Sequence, residues 1–74
     1  MVYEKIKEII VAQFQVDPDK IQLETYFAED LEADSIDVME LVNTFEEEFN
    51  KEITDEELGS IKQVKDVVRY FEGH

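Results

Sequence analysis

"SIDVMELVNTFEEEFN", residues 35–50, is the stretch whose reading decides the fold. Val38, Leu41, Val42, Phe45 and Phe49 recur at steps of three and four, which sets them along one face of an α-helix. That face is core, and the spacing predicts a helix over 35–50. Asp34 stands where an N-cap is needed and Asp37 lies in the first turn, where carboxylates suit the free amides and the positive end of the helix dipole. The opposite face reads Ile36, Met39, Glu40, Asn43 and Glu47. Two sizeable apolar groups are thus expected in the open among acids, a pattern that suggests docking.

Upstream, Val2, Ile6, Ile9, Ile10 and Phe14 alternate with Glu4, Lys5, Lys7 and Glu8 at helical spacing, so a first amphipathic helix is expected over 2–15. It stops near Val16-Asp17-Pro18, because proline disfavours helical geometry in the residue before it; Asp17 with Pro18 instead suits a single short turn. From Asp17 to Asp34 the pattern is irregular, with Ile21, Leu23, Tyr26, Phe27 and Leu31 expected to pin the segment onto the core. A loop this long in a small domain is uncommon and is usually functional when ordered. Downstream, "TDEE" at 54–57 matches a capping box and predicts a short third helix ending at Gly59. Val64, Val67, Val68 and Phe71 mark a fourth, closing near Gly73. No segment alternates with a strand period for long. The expected fold is all-α: a small four-helix bundle with a long first loop and a short third helix, residues 1–74 forming one domain.

A chain of 74 residues buries only about 60% of the surface its unfolded form exposes, so the core has to be economical. At 43% hydrophobic residues it is still expected to fold. The absence of cysteine excludes disulfides, thiolate zinc sites and cysteine nucleophiles, and fits a reducing compartment. Residues 1–10 mix acids and lysines among apolar residues, so neither a signal peptide nor a membrane span is expected and a cytoplasmic address follows. The net charge of −13 repels nucleic acid and anionic membranes and attracts basic proteins. Between Glu29 and Glu57 stand thirteen acids and one base, Lys51. Such a run serves equally as a solvated face that keeps a small protein soluble.

Ser35 sits among these acids at the mouth of the second helix. Serine nucleophiles need a base and an oxyanion hole. The one histidine is His74, the last residue, better read as a frayed end than a base; no G-x-S-x-G surrounds Ser35, and two glycines build no phosphate loop. Calcium fares no better, although Asp30, Glu32 and Asp34 alternate as in an EF-hand. Ser35 occupies the position of the turn glycine and Leu41 that of the bidentate glutamate, so no specific metal site is expected, only weak divalent binding. Serine is also a favoured residue at a helix start, which alone accounts for a lone "DSI".

The longer segment "DLEADSIDVMELVNTFEEEF" resembles the centre of an acyl carrier protein, with Asp-Ser-Leu followed by an acidic amphipathic helix. The resemblance runs on through "ETYFAEDL", "EITDEEL" and "IKQVKDVVRYF" in the order the family shows. It implies that Ser35, beside Asp34, is where a phosphopantetheinyl transferase attaches 4′-phosphopantetheine from coenzyme A, whose thiol then carries acyl groups as thioesters. Ser35 would be a tether, with catalysis left to other enzymes, and the working thiol would be imported. By the same resemblance Asp34, Asp37, Glu40, Glu46 and Glu47 would meet basic patches on the transferase and on acyl-transfer and ketosynthase-type enzymes, with Ile36 and Met39 adding a modest apolar contact and Asn43 lying on the same docking face. The chain would act as a monomeric, stand-alone carrier in fatty-acid synthesis or a dissociated polyketide pathway. A peptidyl or aminoacyl carrier, and an unmodified acidic interaction module, are the alternatives. Acyl chains in the family retreat between the helices, though ordinary packing accounts for every apolar residue here.

Several positions depart from the family pattern. Glu32 stands where glycine is common, and carries a cost of about 1 kcal/mol or more if the site needs positive φ. Ile36 replaces leucine, Asn43 lies where the face is often apolar, "FNKEIT" lacks the usual glycine and proline, and Gln63 is a poorer cap than threonine. These bear on partner preference and leave the tether in place.

Overall fold

The computed structural model describes residues 2–73, so Met1 and the reading of His74 as a frayed end lie outside the described residues. Four helices follow in order: α1 (Val2–Phe14), α2 (Ser35–Phe49), α3 (Asp55–Leu58) and α4 (Val64–Glu72), with a 3-10 turn at Pro18–Lys20. Among the described residues there is no strand, only an isolated bridge between Tyr26 and Gln63. The expected small bundle is the fold found.

Two helices end one residue earlier than their periodicity suggests, for one reason. Gln15 and Asn50 adopt φ of 55° and 54°, the left-handed conformation that terminates helices, and the Asn50 amide closes on the Glu46 carbonyl. Pro18 opens the 3-10 turn after an extended Asp17, whose side chain makes no capping bond.

α1 packs against both α2 and α4. Ile6 and Ile10 meet Leu41 and Phe45 from α2 and Val64, Val67, Val68 and Phe71 from α4 in a single buried cluster. The Phe71 ring stacks on Phe49 at 4.7 Å and meets Phe45 edge-on at 6.2 Å. The long first loop contributes Ile21, Phe27 and Ala33 to the same cluster.

Leu23 and Tyr26, expected in the core, are instead exposed at 38% and 41%. Leu23 lies at the tip of a turn closed by the Thr25 amide on the Gln22 carbonyl and by the Gln22 amide on Thr25 Oγ1. Tyr26 is the bridge residue between Thr25 and Phe27, both buried, and faces outward as strand alternation requires. The loop is fastened to residues 62–65 by three backbone bonds: Phe27 to the Lys62 carbonyl, Val64 to that of Thr25, and Lys65 to that of Leu23. Gln63 adds a fourth, its side-chain amide donating to the Glu24 carbonyl. Its side chain is thus a cross-tie, and capping at the start of α4 falls to Asp66, whose carboxylate accepts from the Lys62 and Gln63 amides.

Candidate functional site

Ser35 is the first residue of α2. The capping box before it is reciprocal: the Asp37 amide donates to Asp34 Oδ1 at 2.9 Å and the Asp34 amide to Asp37 Oδ2 at 3.2 Å. Both acids around the serine are therefore used to start the helix. The Ser35 and Ile36 amides, by contrast, have no partner among the described residues, and neither has the exposed Ser35 hydroxyl. Two unpaired donors at a helix N-terminus, with a free hydroxyl between them, suit an anion attached to Ser35 Oγ. No histidine lies among the described residues, so none of these side chains is a base of the usual kind for the serine.

The preceding loop delivers Ser35 to this position. Asp30 Oδ2 accepts from the Tyr26 amide at 2.8 Å, the Asp30 and Leu31 amides donate to the Tyr26 carbonyl, and buried Ala33 donates to that of Phe27. The reversal this demands falls on Glu32, which takes φ 54°, the strained conformation its replacement of glycine foreshadows. From α1, Gln13 Nε2 donates to the Asp37 carbonyl at 3.2 Å, linking the first turn of α2 to its neighbour.

Beside the hydroxyl runs a groove of about 340 Å³ lined by Ala28, Ala33, Val38, Met39 and Leu58 as well as Asp34 and Ser35. A second hollow of about 210 Å³, walled by Tyr26, Phe27, Ile61 and Lys62, shares Ala28 and Val38 with it. Its lining is mostly apolar, so an anionic linkage at Ser35 with an apolar cargo beside it fits the residues present.

On the outer face of α2, Ile36 (67%) and Met39 (54%) are the most exposed large apolar residues described, with Glu40, Asn43 and Glu47 also exposed. Glu46 is not brought into this row. Its carboxylate accepts from the Ile53 amide at 2.7 Å and serves the connection after α2. No group of three or more acidic or histidine side chains among the described residues is arranged to hold a metal ion, so the alternating acids before Ser35 do not converge.

The far wall of the groove is α3, capped by Thr54 and Glu57 as the "TDEE" pattern predicts. Hydrogen bonds from the Thr54 backbone and hydroxyl hold the Glu57 carboxyl below its ordinary range. Partial burial, then the Glu57 carboxylate, push the Tyr70 phenol upward. The one proton of the Tyr70 hydroxyl is shared between the Glu52 carbonyl at 2.6 Å and Glu57 Oε1 at 3.1 Å, a link from α4 to the start of α3 that no sequence pattern announces.

A family model described as "Phosphopantetheine attachment site" matches residues 4–71. An acyl carrier protein of Bdellovibrio bacteriovorus is 51% identical over 71 residues, covering 96% of this chain and 91% of the relative. Those of Wolinella succinogenes and Clostridium acetobutylicum are 52% and 46% identical, covering 96% and 100% of this chain and 93% and 96% of theirs. With the match running through every helix and the serine at the head of α2, the chain belongs to the acyl carrier proteins, the family built around a phosphopantetheine attachment site.

Proposed function

We propose that Ser35 is the attachment point for 4′-phosphopantetheine and that residues 1–74 act as one carrier domain, holding acyl groups as thioesters for the enzymes of fatty-acid synthesis. The observation that carries this reading is the exposed Ser35 hydroxyl, unbonded and flanked by two unpaired amides at the start of α2, in a chain of this family. When attached, the arm supplies a thiol that forms and exchanges thioesters. The chain's own residues present, orient and recognise. The Asp34–Asp37 box fixes the first turn, the Ser35 and Ile36 amides face the linkage, and Ala28, Val38, Met39 and Leu58 offer apolar surface beside it.

Docking follows from the outer face of α2. Asp34, Asp37, Glu40 and Glu47 present negative charge around Ile36, Met39 and Asn43 to basic patches on a phosphopantetheinyl transferase and on acyl-transfer and ketosynthase-type enzymes. Long-range attraction speeds encounter, while rim ion pairs each add little affinity, so association is fast and quickly reversed. Glu46 contributes through its charge, its carboxylate being held by Ile53. The chain works as a substrate of other enzymes, as a monomer in the cytoplasm. No described helix is long and apolar enough to cross a membrane.

Intact mass after incubation with coenzyme A, magnesium and a broad-specificity phosphopantetheinyl transferase tests the assignment. The wild type is expected to gain one phosphopantetheine and Ser35→Ala none. A folded wild type that gains no mass while a known substrate is modified in parallel would overturn it.

A further inference from the structure

Glu29, Asp30 and Glu32 are exposed acids in the last stretch of loop before Ser35, and they are not equivalent. The carboxylates of Glu29 and Glu32 bond to nothing among the described residues, whereas Asp30 Oδ2 accepts from the Tyr26 amide at 2.8 Å. Among the described residues no other side chain between 28 and 33 makes a hydrogen bond.

That bond closes on a fixed point. Tyr26 lies between two backbone bonds to the start of α4, from the Phe27 amide to the Lys62 carbonyl at 3.1 Å and from the Val64 amide to the Thr25 carbonyl at 2.9 Å. Those bonds use the groups of its neighbours, so the amide and carbonyl of Tyr26 itself turn the other way, as in an antiparallel pair. Residues 30 and 31 take both. The carbonyl accepts from the Asp30 amide at 3.0 Å and the Leu31 amide at 3.3 Å, and the amide has no partner among the described residues besides the Asp30 carboxylate.

Five positions beyond Asp30 stands Ser35. Between them Glu32 holds φ 54°, a conformation that persists only where its surroundings impose it. The Ala33 amide, 3.0 Å from the Phe27 carbonyl, makes the one further bond before the capping box. The Asp34–Asp37 box thus fixes the serine from the helix side, and Asp30 fixes it from the loop side.

We propose that Asp30 is a positioning residue for the modification of Ser35, a role that rests on the carrier function proposed above and that it plays through the Tyr26 amide. Transfer forms a bond from Ser35 Oγ to phosphorus and breaks the pyrophosphate bond of coenzyme A, the nucleotide leaving and the hydroxyl proton passing to a base on the transferase. The chain's part is to hold the hydroxyl in line, where small misplacements lower the rate. A loop loosened at Asp30 adds such misplacement and leaves the α2 face as it was, so the loss falls on the transfer step and spares docking.

Two variants that lose the same charge separate the bond from the charge. Asp30→Asn keeps a carbonyl oxygen for the Tyr26 amide, and Asp30→Ala offers none. In single-turnover transfer from coenzyme A with transferase in excess, the maximal rate is expected to fall roughly threefold to tenfold in Asp30→Ala, the worth of one ordinary hydrogen bond. The half-saturating transferase concentration is expected to stay within about twofold of wild type, and Asp30→Asn to keep most of the wild-type rate. Amide hydrogen exchange on the unmodified chain is expected to quicken by the same factor at Tyr26 and Ala33 in Asp30→Ala, with Ile10 in α1 and Leu41 in α2 unmoved. Equal losses in the two variants, or a change in half-saturation alone, would make Asp30 a docking charge and overturn the assignment. Wild-type transfer rates in both variants would overturn it too, and equal acceleration at Ile10 and Leu41 would reduce Asp30 to a contributor to global stability. Exchange needs no modification of Ser35, so a failed tether shows as an unmodified wild type and failed positioning as unmoved Tyr26 and Ala33 amides.

Discussion

Glu32 offers a direct test of how the loop before the serine is built. It holds φ 54°, its side chain is exposed, and it has no hydrogen-bond partner among the described residues. Replacing it therefore costs no hydrogen bond or ion pair, and the effect falls chiefly on backbone strain and one charge. An L-residue in the left-handed region carries about 1–2 kcal/mol of strain. Glycine relieves this but loses about 0.5–1 kcal/mol more conformational freedom on folding. The net gain for Glu32→Gly is about 0.5–1 kcal/mol, and at about 4–8 °C per kcal/mol for a domain of this size Tm should rise by roughly 2–8 °C. Glu32→Ala is the necessary control, because it loses the same charge and side chain yet keeps the Cβ that causes the strain. At ordinary positions glycine is the less stable of the two; here the order should invert. Urea unfolding followed by circular dichroism gives both midpoints, with m expected to stay constant. Alanine equal to or above glycine would refute the strain argument, whatever either variant does relative to glutamate.

Other expectations follow from the same features. Charge reversal at Glu40 or Glu47 should slow transferase turnover and flatten its dependence on ionic strength; rates that match the wild type across a salt series would rule out electrostatic docking at α2. Because thirteen acids crowd 29–57, Tm should rise with added salt or divalent cations, and an identical Tm at low and high ionic strength would contradict that. The Tyr70–Glu57 contact has a defined pH window. Glu57, its pKa lowered from 4.5 chiefly by the Thr54 amide and hydroxyl, contributes this contact above that value and loses it as pH falls through the depressed one. Tyr70, raised from 10.0 by partial burial and then by Glu57, contributes below pH 10 and loses its part as pH rises through the elevated value. The amide resonances of Leu58 and Gly59 should thus be flat through neutrality and move only at the two extremes; a midpoint near pH 7 would contradict the assignment.

What the sequence disclosed and what it withheld divide along physical lines. Val38, Leu41, Val42 and Phe45 revealed α2 because periodicity within one helix is local, and Asp34 and Thr54 revealed their caps because capping spans three residues. Ser35 and the exposed Ile36 and Met39 were legible for the same reason. Leu23 and Tyr26 were misplaced because 17–34 has no period; their direction is set by bonds to 62–65, some forty residues away along the chain. Glu46 reads as one more acid in a run, and only the fold shows it bonded to Ile53. Tyr70 resembles any amphipathic-helix tyrosine until its hydroxyl is seen to meet Glu52 and Glu57, eighteen and thirteen positions earlier.

The anchoring of the helix behind Ser35 turns one face of the surface into a fixed address. α2 is braced by α1 along the buried Leu41 and Phe45, so Ile36, Met39, Glu40 and Glu47 are presented from a packed helix. Under the carrier role proposed above, a partner that touches only this face recognises the carrier and is blind to its load.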